Sequence, residues 1–437
     1  MVLDTQHADR ALRPSVAVPA SWHGRLGSRE APNPRPAARR PASVVARAAS
    51  KAATGCALLL AVPLVLLARL LRPLVLIRFG RVVSQRIGYF AFDPEVYLSA
   101  RDARLQGCRV ADLLYFTLPV CNRQLALMWR RVLPITGFAR ALERANRWFP
   151  GAARHQAVLC QPAGRDLQGI LQRTAPHLVF TAQERAQGWT ALRALGIEPG
   201  APFVCFHARD QAYLEWSYQD RDWAYHTYRN VEIRDLLPAL EELTRRGYLG
   251  VRMGAVVEEA LPAAHPRIID YSMTGRTELL DIFLAAHCRF FLSDPSGIIA
   301  LPMVFRRPVA VVNLMPFEYI HSWGPQDLSI PKKLWLRAER RWLTFREILA
   351  SGIGRHFQRT EQFDQAGIDV VDNTPEEITA VALEMDARLA GTWQPAPEDE
   401  ERQRRFWALF AGSPLHGVIR ARIGAEFLRQ HAHLLEP

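Results

Sequence analysis

From residue 203 onward, short apolar runs alternate with stretches of helical period. Phe203–His207 is an apolar run that ends in polar residues. Leu236–Arg246 puts Leu236, Leu237, Leu240 and Leu243 on one helical stripe, with Asp235 as its cap, Pro238 in its first turn and Gly247 as its stop. Tyr248–Met253 reads as a strand, Thr277–His287 as a helix capped by Thr277, and Arg289–Leu292 as a strand. Gly297–Phe305 follows as a helix and Pro308–Asn313 as the next strand. Thr344-x-x-Glu347 and Thr374-Pro375-x-Glu377 are capping boxes that open two later helices, the second with proline at its first position. Strands alternating with helices predict a parallel sheet covered on both faces. Such sheets bind ligands beyond the carboxyl ends of their strands.

Upstream, the strand-like runs Leu74–Phe79, Ile87–Phe92 and Leu113–Leu118 mix with helical Leu125–Leu133 and Phe138–Phe149, and Trp189–Gly200 reads as a helix running into a linker. The expected organisation is a disordered basic tail over 1–50, a membrane-associating apolar helix over 51–73, and an α/β domain over 74–198 on the acceptor side. A second α/β domain over 199–375 and C-terminal helices over 376–437 complete it.

Charge changes the picture at the N-terminus. Residues 1–51 hold nine basic residues against Asp4, Asp9 and Glu30, which is half of the formal net charge of +12. Ala52–Ala68 then carries no charge, includes Leu58, Leu59 and Leu60, and is interrupted by Pro63. Seventeen residues span about 25 Å as a helix, short of the ~30 Å hydrocarbon core. Arg69, Arg72, Arg78, Arg81 and Arg86 follow, so both flanks are basic and neither is marked for export. A dipping or interfacial helix, a short span and a buried core helix all remain open, and association with an anionic membrane surface on the cytoplasmic side is the expectation. A secretory signal is a poor reading, because no small-residue cleavage site follows.

With 49% apolar residues the chain has ample core, and no basic stripe on a recognisable nucleic-acid module appears. The six cysteines, Cys56, Cys108, Cys121, Cys160, Cys205 and Cys288, contain no C-x-x-C pair and read as reduced thiols.

The strand ends carry the chemistry. One delivers His207, Ala208, Arg209 and Asp210; the next Arg252 and Gly254; the third Ser293, Asp294, Pro295, Ser296 and Gly297 at a helix start. Guanidinium groups and free N–H groups at a small-residue helix start both suit phosphate oxygens. Together they can hold a diphosphate without a metal. Asp220-Arg-Asp222 has the Asp-x-Asp form of a metal-dependent sugar transferase but follows no strand, so a plain loop is expected. No P-loop, zinc-protease string, dinucleotide fingerprint or nucleophile elbow is present.

Several strings resemble a family of bacterial glycosyltransferases. They are Cys205-Phe206-His207-Ala208-Arg209-Asp210, Tyr228-Arg229-Asn230-Val231-x-Ile233, Val251-Arg252-Met253-Gly254 and Ser293-Asp294-x-Ser296-Gly297-Ile298. Phe305-Arg306-Arg307-Pro308, Ile330-Pro331-Lys332-Lys333-Leu334-Trp335 and Gly391-Thr392-Trp393-Gln394 extend the likeness. It runs from about Arg86 to the C-terminus and is dense between 203 and 430. The His-x-Arg strand end is also similar to fucosyltransferase-like enzymes, and the Ser-Asp-x-Ser-Gly turn to heptosyltransferase-like ones. Pro295 is a departure, since those relatives have Asp directly before Ser.

The resemblance implies a GT-B-type fold of two facing Rossmann-like domains, and transfer of a sugar from a nucleotide-sugar donor to a glycan, lipid-linked or protein acceptor. No metal and no further cofactor is expected. Arg209, Arg252, Gly254, Ser293, Asp294, Ser296, Gly297 and Lys332 are the expected donor contacts. His207, Asp210 and Asp93, the last with Glu95 just past a strand, are the candidate bases. A non-catalytic membrane-bound scaffold of the same fold is the alternative. Trp335, Trp342, Trp393 and Trp407 read as packing residues, and His226, His287 and His321 as structural.

Overall fold

The computed structural model describes residues 44–103, 109–159, 164–217, 222–262 and 265–436. Most of the basic tail, Cys108, Cys160 and Asp220 lie outside the described residues.

Three strands, β1 (Leu76–Val82), β2 (Val110–Phe116) and β3 (Gln156–Ala157), form a parallel sheet of order β2-β1-β3 among the described residues. Helices α1 (Val44–Leu70), α2 (Ile87–Asp102), α3 (Arg123–Arg130) and α4 (Ala139–Asn146) accompany it. α1 starts upstream of the expected residue 51 and docks on α4 and the sheet. Its Ala61, Val65 and Ala68 meet Phe79, Leu142 and Ala145 in a small core. Arg69 fastens the end of α1 by donating to Asn146 Oδ1 (2.9 Å) and to the carbonyl of Pro150 (2.8 Å).

Helix α5 (Ala182–Ala194), opened by a capping box of Thr181 and Glu184, leads to the larger sheet. Here β4 (Phe203–His207), β5 (Leu249–Arg252), β6 (Ile268–Ile269), β7 (Phe291–Ser293), β8 (Val309–Leu314) and β9 (Leu328–Pro331) pair in parallel. The order is β6-β5-β4-β7-β8-β9, so the chain works outward from β4 in one direction and then resumes on its other side at β7. That reversal creates a crevice between β4 and β7. Helices α6 (Ala212–Ser217), α7 (Leu237–Arg245), α8 (Glu278–His287) and α9 (Ala300–Val304) fill the crossovers. Thr277 caps α8 as expected, by accepting from the Leu280 N–H (3.1 Å). Both later capping boxes form, at Thr344 and at Thr374 with Pro375 behind it. The stop at Gly247 adopts φ +97°, but the cap of α7 is Leu236, without the side-chain bond expected from Asp235. β10 (Lys333–Leu336), β11 (Arg341–Trp342) and β12 (Ile368–Val371) make a separate antiparallel flap of order β11-β10-β12. β13 (Arg422–Ile423) returns to the large sheet beside β9.

The fold class is the expected mixed α/β one, with a smaller N-terminal sheet and a larger Rossmann-type one. One expected strand is a helix. Ile87–Phe92 opens α2, whose residues Phe90–Ser99 are all buried. A segment apolar on every side has no period to read, and a helix buried all round is one of its solutions. Pro94 within it cannot donate to the Phe90 carbonyl four residues back. The indole Nε1–H of Trp129 does so instead, at 2.8 Å. α2 packs on α9 and shares one continuous core with both sheets.

Candidate functional site

The crevice between β4 and β7 gathers most of the expected strand-end residues. Beyond β4, the Arg209 backbone N–H donates to Asp294 Oδ1 (3.1 Å), so the two strand ends are tied together. The Arg209 guanidinium is held by the carbonyl of His226 (3.3 Å) and Oδ1 of Asn230 (3.2 Å), neither of them a carboxylate. Burial, followed by the neighbouring Arg229 charge, lowers its pKa to about 10. A guanidinium left half-buried and neutralised only in part has strong reason to accept an anionic ligand.

Asp294 is buried, and its Oδ2 has no hydrogen-bond partner among the described residues. The Ser293 hydroxyl, also buried, lies 3.3 Å from both Asp294 Oδ1 and the Ser296 hydroxyl. Ser296 then stands at the start of the turn Gly297–Ile299 that runs into α9, with no side-chain cap bond. Gly297 meets the N-terminal unit directly. A Cβ on Gly88, at the start of α2, would stand 3.1 Å from the Gly297 Cα. The beginnings of two helices therefore converge here, and the first N–H groups of a helix have no partner within the helix itself.

His207 is half-buried and its Nδ1 lies 2.9 Å from the carbonyl of Met253. A carbonyl only accepts, so Nδ1 carries the proton and Nε2 keeps its lone pair. Gly254 stands beside the ring. A Cβ there would lie 3.9 Å from His207 Nδ1 and 2.6 Å from Val257 Cγ1.

Other expected residues are committed elsewhere. Arg252 is buried and donates to Asp270 Oδ2 (3.2 Å) and the Glu259 carbonyl (2.8 Å), which makes it a structural ion pair. Both Asp210 oxygens accept backbone N–H groups, from Ala212 (3.1 Å) and Glu258 (2.8 Å). Asp93 lies buried inside α2, not past a strand facing the crevice. Its neighbour Glu95 pairs with Arg306 (2.7 Å) and His177 (3.1 Å). Lys332 is buried, with Nζ 2.6 Å from Asp372 Oδ1 and 3.0 Å from the Asn230 carbonyl. It supports the asparagine that holds Arg209. Lys333 is spent on Glu377 (2.6 Å).

The structure adds residues to which the sequence reading gave no role. Arg229, in the Tyr228-Arg229-Asn230 string, donates to the Pro295 carbonyl (2.7 Å), and its buried Nε has no hydrogen-bond partner among the described residues. His226, read as structural, sits at the centre. Burial, and then the guanidinium groups of Arg229, Arg209, Arg86 and Arg359, push its imidazole down to about 4. Its buried Nδ1 and the Tyr228 hydroxyl have no hydrogen-bond partner among the described residues. Tyr225 packs against the imidazole at 3.9 Å, with Arg359 over the tyrosine ring at 5.0 Å and Arg86 over Trp223 at 6.0 Å. The signal available in sequence was the Tyr228-Arg229-Asn230 string itself, two residues after His226.

The bland expectations held for most tryptophans. Trp335 and Trp342 pack edge to face, Trp393 lies under Arg388, and Trp407 belongs to the core. Cys205 and Cys288 are buried free thiols, whereas Cys56 is exposed on α1. Asp222 caps the next turn through the Ala224 N–H (2.8 Å).

No family model matches the chain, and no curated protein does. Among solved structures it is similar to a family 9 glycosyltransferase of Veillonella parvula, at 10% identity and TM-score 0.33, over 53% of this chain and 80% of that one. It is also similar to the iron-containing heptosyltransferase TibC of enterotoxigenic E. coli in complex with ADP-D-beta-D-heptose, at 13% identity and TM-score 0.34, over 72% and 78%. A UDP-N-acetylglucosamine 2-epimerase aligns at 9% identity and TM-score 0.23, over 73% and 98%. Likenesses this distant leave the site to be read from its own geometry.

Proposed function

We propose that the chain is a glycosyltransferase that takes its sugar from a nucleoside-diphosphate donor. The observation that carries this reading is the convergence of Arg209 and Arg229, with Arg86 and Arg359 nearby, on the switch-point crevice around His226. Arg209 and Arg229 face the diphosphate, and the N–H groups at Gly297 and at the start of α2 add partial positive charge. Lys332 and Asn230 position Arg209. His207 is the base: Nε2 takes the proton of the acceptor hydroxyl as its oxygen attacks the anomeric carbon. The bond from that carbon to the diphosphate oxygen breaks, and the electron pair leaves on the phosphate, where the guanidinium groups stabilise it.

The acceptor is a cell-surface glycan or a lipid-linked or protein hydroxyl at the cytoplasmic face of the inner membrane, where nucleotide sugars are available. Transfer proceeds without a metal, the arginines standing where a divalent cation otherwise would. The test is turnover of UDP-, GDP- and ADP-linked sugars by purified protein with excess chelator. Hydrolysis or transfer that survives EDTA supports the reading. Activity lost to EDTA and restored by manganese contradicts the metal-free part, and no turnover of any donor contradicts the whole.

A further inference from the structure

From Leu58 to Ala68 helix α1 is apolar on every side, yet the described residues cover only one of them. Ala61, Val65 and Ala68, small residues at helical spacing, face α4 and β1. The larger Leu59 (76% exposed), Leu60 (65%), Leu64, Leu66, Leu67 and Leu70 (76%) point to solvent. Soluble amphipathic helices have the reverse arrangement. A contiguous apolar surface of this kind marks an interaction site.

The surroundings identify the occupant. α4, on which α1 rests, exposes Arg140, Arg144 and Arg147, and Arg72 is exposed just past the end of α1. Of these, Arg147 shares Glu143 at 2.6 Å. Trp148 lies two residues past α4 and is 63% exposed, close to where Arg69 bonds the Asn146 side chain and the Pro150 carbonyl. Exposed leucines on one helix, with exposed arginines and a tryptophan on and just past the helix it packs against, have the composition of a surface that lies in the headgroup region of an anionic bilayer. No helix among the described residues is long and apolar enough to cross a membrane. The docking of α1 on α4 also holds it parallel to the protein surface rather than free to insert end-on.

We infer that the exposed face of α1, with Trp148 and the α4 arginines at its margin, is a monotopic docking surface for an anionic lipid bilayer. This deepens the membrane placement proposed above and is independent of the donor chemistry. The experiment is flotation of the full chain with vesicles of phosphatidylcholine alone or with phosphatidylglycerol. The expected result is binding that favours the phosphatidylglycerol vesicles, weakens with salt, and falls at least tenfold when Leu59, Leu60, Leu66 and Leu67 are all changed to glutamine. Brominated acyl chains should quench tryptophan fluorescence in the parent chain and less so in Trp148→Phe. Should the leucine variant not fold, Arg140→Gln with Arg144→Gln and Arg147→Gln must still reduce binding to anionic vesicles. Failure of the parent chain to float with either vesicle overturns the inference. So does a dimer that forms through this face in place of lipid binding. Nucleotide binding measured without lipid reports separately on the donor site.

Discussion

At the scale of single residues, two arginines that look equivalent in sequence have opposite fates. Arg209 and Arg252 each close a buried strand, but Arg252 is drawn to Asp270, while Arg209 is held by neutral oxygens beside an open crevice. Arg252→Ala therefore removes the buried partner of an ion pair and leaves Asp270 only the Leu261 N–H and the Ser272 hydroxyl, which should cost about 3 kcal/mol of stability. Thermal melts should show a large drop, and the nucleotide affinity of whatever protein remains folded should be nearly intact. An unchanged melt with weakened nucleotide binding would return Arg252 to the donor site. The sequence showed that charged residues follow strands here, which is why His207, Arg209 and Asp294 were legible. It did not show which charge had a carboxylate waiting, because Asp270 comes from the end of a different strand. Asp210 misled for a similar reason: two backbone N–H groups, one of them 48 residues on, use up its oxygens.

At the scale of elements, α2 is the joint between the two sheets, and its existence depends on a partner far along the chain. Its Phe90 carbonyl is freed by Pro94 and satisfied by Trp129, 39 residues away. Trp129→Phe keeps most of the apolar volume but leaves that carbonyl unpaired, at a cost of about 1–3 kcal/mol. The melting temperature should drop by several degrees, and since α2 also abuts Gly297, turnover should weaken as well. A melt equal to the parent's would show that the indole hydrogen bond is dispensable. No local pattern could have announced this helix, since the run Ile87–Phe92 fits a buried strand as readily. By contrast α8 and the two capping-box helices were legible, because their signals are confined to three or four adjacent residues.

At the scale of the whole molecule, the charge balance makes stability depend on pH. Burial, reinforced by nearby arginines, holds His226 at about 4, His321 at about 3 and His416 at about 4. Each is depressed below the unfolded value of about 6.5, so on acidification the unfolded chain takes up these protons first. Their contribution is complete above about pH 6.5 and is lost as pH falls toward 4. His287, lowered by burial, acts with them, whereas Asp327, raised by burial to about 7, and Asp235, Glu258, Asp281 and Glu384, also raised by burial, act the other way over that range. The loss of melting temperature between about pH 7.5 and 4.5 should be smaller in His226→Gln than in the parent. Profiles of equal slope in the two proteins would contradict the protonation state assigned to His226 in the crevice.

The central claim is that the switch-point crevice binds a nucleoside diphosphate through Arg209. The most direct measurement is calorimetric titration of the parent chain and of Arg209→Ala with UDP, GDP and ADP, in the presence of EDTA. At least one nucleotide should bind the parent, and affinity should fall a hundredfold or more in the variant. That corresponds to on the order of 3 kcal/mol, the worth of a charge-assisted hydrogen bond to phosphate in a half-buried site. The variant's melt should stay close to the parent's, because the Arg209 guanidinium makes no hydrogen bond to a carboxylate. Equal binding by both proteins, or binding by neither, would contradict the account.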